Sequence, residues 1–117
     1  MRPDLKALRQ LSDLDQLLDD STTRPVLLLK HSYACGTSAE ALDQLIEHLD
    51  EARRADTDYA VVTVQTHRDI SNAVSARLGV RHETPQALLI RDGRVVWSAS
   101  HFRVTADAVA KALEEHS

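Results

Sequence analysis

Residues 26–38 read VLLLKHSYACGTS. Four consecutive apolar residues after a proline are typical of a strand that is covered on both faces. The residues that follow are turn-like, and beyond them apolar side chains recur at the spacing of one helix face: Leu42, Leu45, Ile46 and Leu49. This stretch therefore predicts a strand, a short loop, and a long helix that begins close to Cys35.

The remaining strand signals lie in the second half of the chain. Residues 59–64 form another apolar run rich in β-branched side chains. Residues 86–91 and 94–98 predict two further strands, joined by Asp92-Gly93, a strong signal for a β-hairpin. A short first strand is also expected between Leu5 and Leu11.

Helical patterns separate these strands. One helix is predicted from a cap at Ser12–Asp15. A shorter one carries Ile70, Val74 and Leu78 and ends at Gly79. The last begins at Thr105 as its N-cap, with Val104 placed to pack on Val109.

Strands that alternate with helices predict parallel pairing, and a terminal hairpin adds an antiparallel edge. This order is the layout of the thioredoxin fold. We therefore expect an α/β, thioredoxin-like fold with a central mixed sheet of four to five strands and helices on both faces. No repeat or linker divides the chain, so residues 1–117 are expected to form a single domain.

Composition narrows the functional classes. The net charge is −4 and the basic residues are scattered, which argues against nucleic acid or a membrane surface as partner. Charges interrupt the N-terminal region, and no stretch has the ~20 apolar residues of a spanning helix. The one cysteine excludes an internal disulfide, as expected in a reducing compartment. The cytoplasm is the expected location.

Cys35 is the main candidate for chemistry. A thiol at the start of a helix meets free backbone N–H groups and the positive end of the helix dipole, both of which favour the reactive thiolate. Lys30 and His31 are close in sequence and are expected to add positive potential. A lone intracellular cysteine is more often an inert buried residue, but a helix start is a poor place to bury one.

Ser38 stands three residues after the cysteine, in the motif Cys35-Gly36-Thr37-Ser38. A dithiol oxidoreductase would carry its second cysteine at that position. The Ser38 hydroxyl is able to hydrogen-bond a thiolate or to cap the helix, but it cannot form a disulfide. Oxidised Cys35 must therefore be released by an external thiol.

Thr84-Pro85 precedes the predicted strand at 86–91. In a thioredoxin-like layout this position carries a cis-proline that faces the reactive cysteine, and the preceding residue offers its backbone to a bound thiol compound or peptide. We expect Gly36, Thr37, Ser38, Thr84 and Pro85 to contact the bound thiol.

The six histidines are weaker candidates. His48 and His116 fall at polar helix positions and are expected to be solvated. His67, His82 and His101 lie near predicted strand ends, from which each could reach the rim of the site. No spacing of Cys and His suggests a zinc site, so no metal is expected.

Several segments together resemble the monothiol bacilliredoxins, over about residues 26–113. They are LLKHS leading into Cys35-x-x-Ser38, QTHRDISN at 65–72, GVRHETPQ at 79–86 and VWSASH at 96–101. The chain departs from the family at Gly36, where a proline is common.

The resemblance implies a thiol-disulfide oxidoreductase that removes bacillithiol from S-bacillithiolated client proteins. Cys35 would take the low-molecular-weight thiol into a mixed disulfide, and a second thiol or a reductase would regenerate it. Bacillithiol would be the thiol co-substrate.

Two other interpretations stay open on the sequence. Cys-Gly-Thr-Ser is one residue from the Cys-Gly-Phe-Ser of monothiol glutaredoxins, which use glutathione and bridge an iron–sulfur cluster. Ser98-Ala99-Ser100 replaces the Gly-Gly motif of that family. The other alternative is a non-catalytic thioredoxin-like adaptor in which Cys35 is incidental.

Overall fold

A computed structural model describes residues 2–116 and has the predicted order of elements. The strands are β1 (Lys6–Ala7), β2 (Val26–His31), β3 (Asp58–Thr63), β4 (Gln86–Arg91) and β5 (Arg94–Ser100). The helices are α1 (Leu11–Asp20), α2 (Gly36–Ala52), α3 (Arg68–Leu78) and α4 (Ala106–Glu115), with a 3-10 turn at His101–Arg103.

The strands form one mixed sheet in the order β1-β3-β2-β4-β5. β3 runs parallel to both β1 and β2, whereas β4 is antiparallel to β2 and to β5. The register pairs Lys30 with Gln86. Because β2 ends where β4 begins, the loop that carries Cys35 and the loop that carries Thr84 lie at the same end of the sheet.

Helices cover both faces of the sheet, which explains the continuous apolar run in β2. Leu27 and Leu29 pack into one core cluster, which includes residues of α2 and α4. Val26 and Leu28 point the other way and pack with residues of α1 and α3. A strand buried on both sides has no polar face to alternate with. The expected thioredoxin-like class, with its mixed sheet and two helical layers, is confirmed.

Element ends differ most clearly from the sequence predictions near the N-terminus. The first strand is limited to Lys6–Ala7. The predicted cap at Ser12 is wrong, because α1 begins at Leu11 with Gln10 as its N-cap. Asp13 supplies the capping acceptor: its Oδ2 accepts from the backbone N of Arg9 at 2.9 Å and from that of Gln10 at 3.2 Å.

Two predicted helix ends are confirmed. Gly79 ends α3 with a φ of 65°, a left-handed conformation that glycine adopts without steric cost. Thr105 caps α4, since its Oγ1 accepts from the backbone N of Ala108 at 3.1 Å. No helix within residues 2–116 is long and apolar enough to cross a membrane.

The expectation that His48 is solvated is wrong. It lies on the inner face of α2 between Leu45 and Leu49 and is only 2 % exposed. Its Nε2 is 2.8 Å from the hydroxyl of Tyr59, which also accepts from the backbone N of Arg54 at 3.1 Å. The phenol of β3 supplies a polar partner for Nε2 of the buried imidazole, whereas Nδ1 has none among the described residues.

Candidate functional site

Cys35 is the N-cap residue of α2. Its backbone is extended, with φ −124° and ψ 125°, and its carbonyl accepts from the backbone N of Ala39 at 3.1 Å. Gly36, Thr37 and Ser38 form the first turn, so their N–H groups have no partner within the helix. The sulfur therefore stands where oxygen-bearing side chains commonly cap a helix.

The surroundings of the sulfur favour its charged form. The pKa of the Cys35 thiol lies below its ordinary value, chiefly because the backbone N–H of Ser38, and then that of Thr37, stabilise the thiolate. Loss of water around the sulfur acts in the opposite direction and is outweighed. The thiol forms no capping hydrogen bond within ordinary geometric limits, so these N–H groups act on the charge that develops when the proton leaves.

Ser38 adds a buried donor to the site. It is fully buried, and its Oγ has no hydrogen-bond partner in the described part of the chain. Its hydroxyl contributes, with that of Thr37, to the lowered pKa of Cys35. A buried hydroxyl without a partner costs free energy, and the Cys35 thiolate is the acceptor that would satisfy it.

The loop before Cys35 is held at both ends. The backbone N of Val64 donates to the carbonyl of His31 at 2.8 Å, and the backbone N of Cys35 donates to that of Ser32 at 3.3 Å. The Gln65 side chain donates to Ser32 Oγ. These bonds tie the loop to the segment that follows β3 and so fix where α2 begins.

Thr84 and Pro85 lie directly before β4, at the same end of the sheet as Cys35. Their peptide bond is cis, Pro85 is buried, and Thr84 is partly exposed. The carbonyl of Pro85 accepts from the backbone N of His101 at 3.0 Å, which joins the start of β4 to the 3-10 turn. The structure therefore brings the two sequence-predicted segments, 35–38 and 84–85, to one end of the sheet.

Lys30 and His31 are placed differently from each other. Lys30 follows the alternation of Val26 and Leu28 and is fully buried on the side of α3, and its Nζ donates to Ser75 Oγ at 3.0 Å. Burial lowers the pKa of His31, which favours its neutral ring. Electrostatic support of Cys35 by these two side chains stays a prediction.

His82 is the residue of this region that sequence reasoning underrated. Its Nδ1 is 2.7 Å from Lys30 Nζ, and its Nε2 is 3.3 Å from Thr84 Oγ1. The sequence signals were its place near a predicted strand end and within the GVRHETPQ segment. Lys30 and His82 are 52 residues apart, and spacing alone gives no hint that they meet.

Space remains around Gly36. A Cβ placed there would meet nothing within 4 Å. The proline that is common in the resembling family would therefore find room for its Cβ.

Between residues 2 and 116, no three or more His, Cys, Asp or Glu side chains are grouped so as to hold a metal ion.

The fold, with its lone cysteine at the start of α2, defines a thioredoxin-fold thiol oxidoreductase. The chain is 31 % identical to a protein provisionally assigned as an oxidoreductase with a thioredoxin fold; the match has a TM-score of 0.82 and covers 94 % of each chain. The chain belongs to the monothiol bacilliredoxin BrxC family, whose model matches residues 6–109.

More distant structures share the fold alone. Thioredoxin from Fasciola hepatica is 17 % identical with a TM-score of 0.76, over 96 % of this chain and 99 % of that one. A mutant thioredoxin from Halobacterium salinarum is 24 % identical with a TM-score of 0.72, over 98 % of this chain and 93 % of that one. The family assignment confirms the resemblance seen in the sequence.

Proposed function

We propose that this protein removes bacillithiol from S-bacillithiolated proteins, with Cys35 as the nucleophile. The observation that carries the proposal is the position of Cys35, which is the N-cap residue of α2 and whose pKa is lowered by the backbone N–H groups of Ser38 and Thr37. The thiolate is the attacking species in thiol–disulfide exchange. Membership of the bacilliredoxin family supports bacillithiol as the cargo.

The reaction has two exchange steps. In the first, the Cys35 thiolate attacks the bacillithiol sulfur of the client's mixed disulfide. A new disulfide forms between Cys35 and bacillithiol, the old one breaks, and the client leaves as a thiolate that takes a proton from water. In the second, an external low-molecular-weight thiol or a reductase thiol attacks the bacillithiol sulfur of the new disulfide, forms a disulfide with it, and releases Cys35 as a thiolate. Ser38 cannot perform that step because it is a hydroxyl.

The rest of the site would bind and orient the disulfide. Gly36, Thr37 and Ser38 offer the first turn of α2 to the sulfur, and Thr84 and Pro85 offer the facing loop. An extended segment of the client could pair with the backbone there, as an added strand does at a sheet edge. The chain would act as one unit in the cytoplasm, where reducing conditions keep a lone thiol free.

The test is transfer of the adduct between two proteins. The reduced protein is mixed with a test protein that carries one bacillithiol mixed disulfide, and intact masses of both are followed. We expect the bacillithiol mass to leave the test protein and appear on Cys35, with Cys35→Ser as the inactive control. A parallel arm with a glutathionylated test protein measures selectivity.

Three results would contradict the proposal. They are no transfer from the bacillithiolated protein, faster transfer of glutathione than of bacillithiol, and accumulation of a protein–protein disulfide in place of the small adduct. The last would mean that Cys35 attacks the client sulfur.

A further inference from the structure

A chain of polar contacts runs from the core to the residue before Pro85. Lys30 is 0 % exposed, and its Nζ donates to Ser75 Oγ of α3 at 3.0 Å. The same Nζ is 2.7 Å from His82 Nδ1. The opposite ring nitrogen, His82 Nε2, is 3.3 Å from Thr84 Oγ1. His82 is itself exposed and therefore lies between the buried Lys30 amine and solvent.

The chemistry of the three groups determines which of them donates each hydrogen bond. An ammonium group donates hydrogen bonds and accepts none, so His82 Nδ1 must accept from Lys30. The proton of the neutral ring then sits on Nε2, which donates to Thr84 Oγ1. The neutral ring is favoured because burial first, and then the charges of Lys30 and Arg68, lower the pKa of His82. The Thr84 hydroxyl keeps its own proton to donate outward.

The loop that carries His82 and Thr84 is fixed at its base. Gln86 Nε2 donates to the carbonyl of Arg81 at 3.0 Å and closes the loop just before β4. His82 and Thr84 lie between those two anchor points. The contact with Lys30 therefore sets the middle of the loop, which the Gln86 contact does not reach.

Stability alone does not account for Lys30. The described partners of its Nζ are a hydroxyl and an imidazole, without a carboxylate to offset the charge. A buried ammonium in such surroundings destabilises a core relative to an apolar side chain of similar size. What it does provide is a fixed proton position on His82.

We infer that Lys30 and His82 are positioning residues that hold the Thr84 hydroxyl toward the mixed disulfide bound at Cys35. This inference rests on the proposed function and adds to it a part of the site that binds the substrate without activating the thiolate. Lys30 therefore serves the facing loop rather than the sulfur.

The test compares three variants in two assays. Lys30→Met removes the donor to the ring, His82→Asn keeps an acceptor near Nδ1 but does not reach Thr84, and Thr84→Val removes the hydroxyl. Each is expected to lower the rate constant for bacillithiol transfer about fivefold, the effect of one hydrogen bond. The pH profile of Cys35 alkylation by iodoacetamide should not move, because the sulfur keeps its own partners.

Coupling and rescue sharpen the result. The double variant His82→Asn with Thr84→Val should be no slower than either single variant, since both substitutions break the same series of hydrogen bonds. His82→Gln, whose amide N–H reaches toward the Nε2 position, should restore part of the lost rate. His116→Gln, at the far end of α4, is the control and should transfer as the unaltered protein does.

The outcomes separate this inference from the proposed function. Normal transfer by His82→Asn, additive losses in the double variant, or a shifted alkylation profile would overturn the inference alone. Absence of transfer by the unaltered protein would overturn both. Lys30→Met that is at least as stable as the unaltered chain yet slow in transfer would exclude a merely structural role.

Discussion

Lys30 Nζ lies 2.7 Å from His82 Nδ1, a contact that joins a fully buried side chain to an exposed one. It belongs to the face of the sheet covered by α3, whereas Cys35 belongs to α2, which packs on the opposite face. The site thus draws on both helical layers. The first turn of α2 stabilises the thiolate, and the α3 side holds the loop opposite.

Loss of the Ser38 hydroxyl should make Cys35 less acidic. In Ser38→Ala the pKa of the thiol should rise toward its ordinary value, because one donor to the thiolate is gone. The alkylation rate near pH 7 should fall about two- to fivefold, as measured with iodoacetamide across pH. Ser12→Ala, on the exposed side of α1, is the matched control. An unchanged profile in Ser38→Ala would show that the hydroxyl does not reach the sulfur.

A second thiol at position 38 should release the adduct internally. In Ser38→Cys, a thiol in the first turn of α2 would attack the Cys35–bacillithiol disulfide and expel bacillithiol. Mass spectrometry of the loaded protein, kept without added thiol, should then show loss of the adduct and gain of an internal disulfide. The unaltered protein should keep its adduct under the same conditions, and equal loss from both would contradict the monothiol mechanism.

Proline should be tolerated at position 36. Gly36 is the first residue of α2, Cys35 before it is extended as a residue preceding proline requires, and a Cβ meets open space. Gly36→Pro should raise the free energy of unfolding by about 0.4–1 kcal/mol, since the unfolded chain loses freedom. Urea denaturation measures this.

Gly79→Ala is the contrasting variant. Gly79 has a φ of 65°, and alanine there should destabilise by about 1–2 kcal/mol. Destabilisation by Gly36→Pro as large as that would show that the first turn of α2 needs a backbone that proline cannot adopt.

The buried Lys30 should make stability rise with pH. Burial lowers its pKa to about 8 in the folded protein, from an ordinary value of 10.5. Between these values the unfolded chain binds more protons than the folded one, so the free energy of unfolding increases as pH rises through this window. Denaturation is measured at about pH 7.5 and about pH 9.5, on either side of the folded-state pKa, for the unaltered protein and for Lys30→Met. The difference between the two proteins removes the contribution of the other titrating groups, and it should increase with pH. Equal pH dependence of both proteins would contradict it.

The buried phenol of Tyr59 should matter for stability. Tyr59→Phe removes the group that pairs with His48 Nε2 and with the backbone N of Arg54. Leaving buried polar groups unpaired should destabilise by about 1–3 kcal/mol. Thermal or urea unfolding measures the loss. Tyr33→Phe is the control, because Tyr33 is 66 % exposed and should change stability by less than about 0.5 kcal/mol.

Local patterns made most of the fold predictable. β2 is apolar on both faces because helices cover both, and that produces a continuous run rather than an alternation. Gly79 and Thr105 mark helix ends through their own backbone and side-chain chemistry. The position of Cys35 follows from the same reasoning, since a turn between a strand and an amphipathic helix places it at the helix start.

Features that depend on distant contacts were not predictable. His48 looks polar on its helix, and only the approach of Tyr59 from β3 makes its burial possible. The Gln10 cap is the exception, because it is local: the carboxylate of Asp13 accepts from the backbone N of Arg9 and of Gln10, four and three residues before it. Lys30 and His82 come into contact only when the sheet has formed. The sequence around a lysine in an apolar strand does not indicate which residue it will contact.

The register that pairs Lys30 with Gln86 also bears on the order in which the site forms. The nucleophilic half is mostly local, because Thr37 and Ser38 of the same helix turn lower the pKa of Cys35. The other half, the loop that carries His82 and Thr84, is distant in the chain and is brought to the site by the pairing of β2 and β4. Closing such a long loop costs more entropy than forming a helix turn and is therefore slower. A substitution that disturbs the pairing of β2 and β4 should therefore weaken binding of the disulfide before it changes the acidity of Cys35.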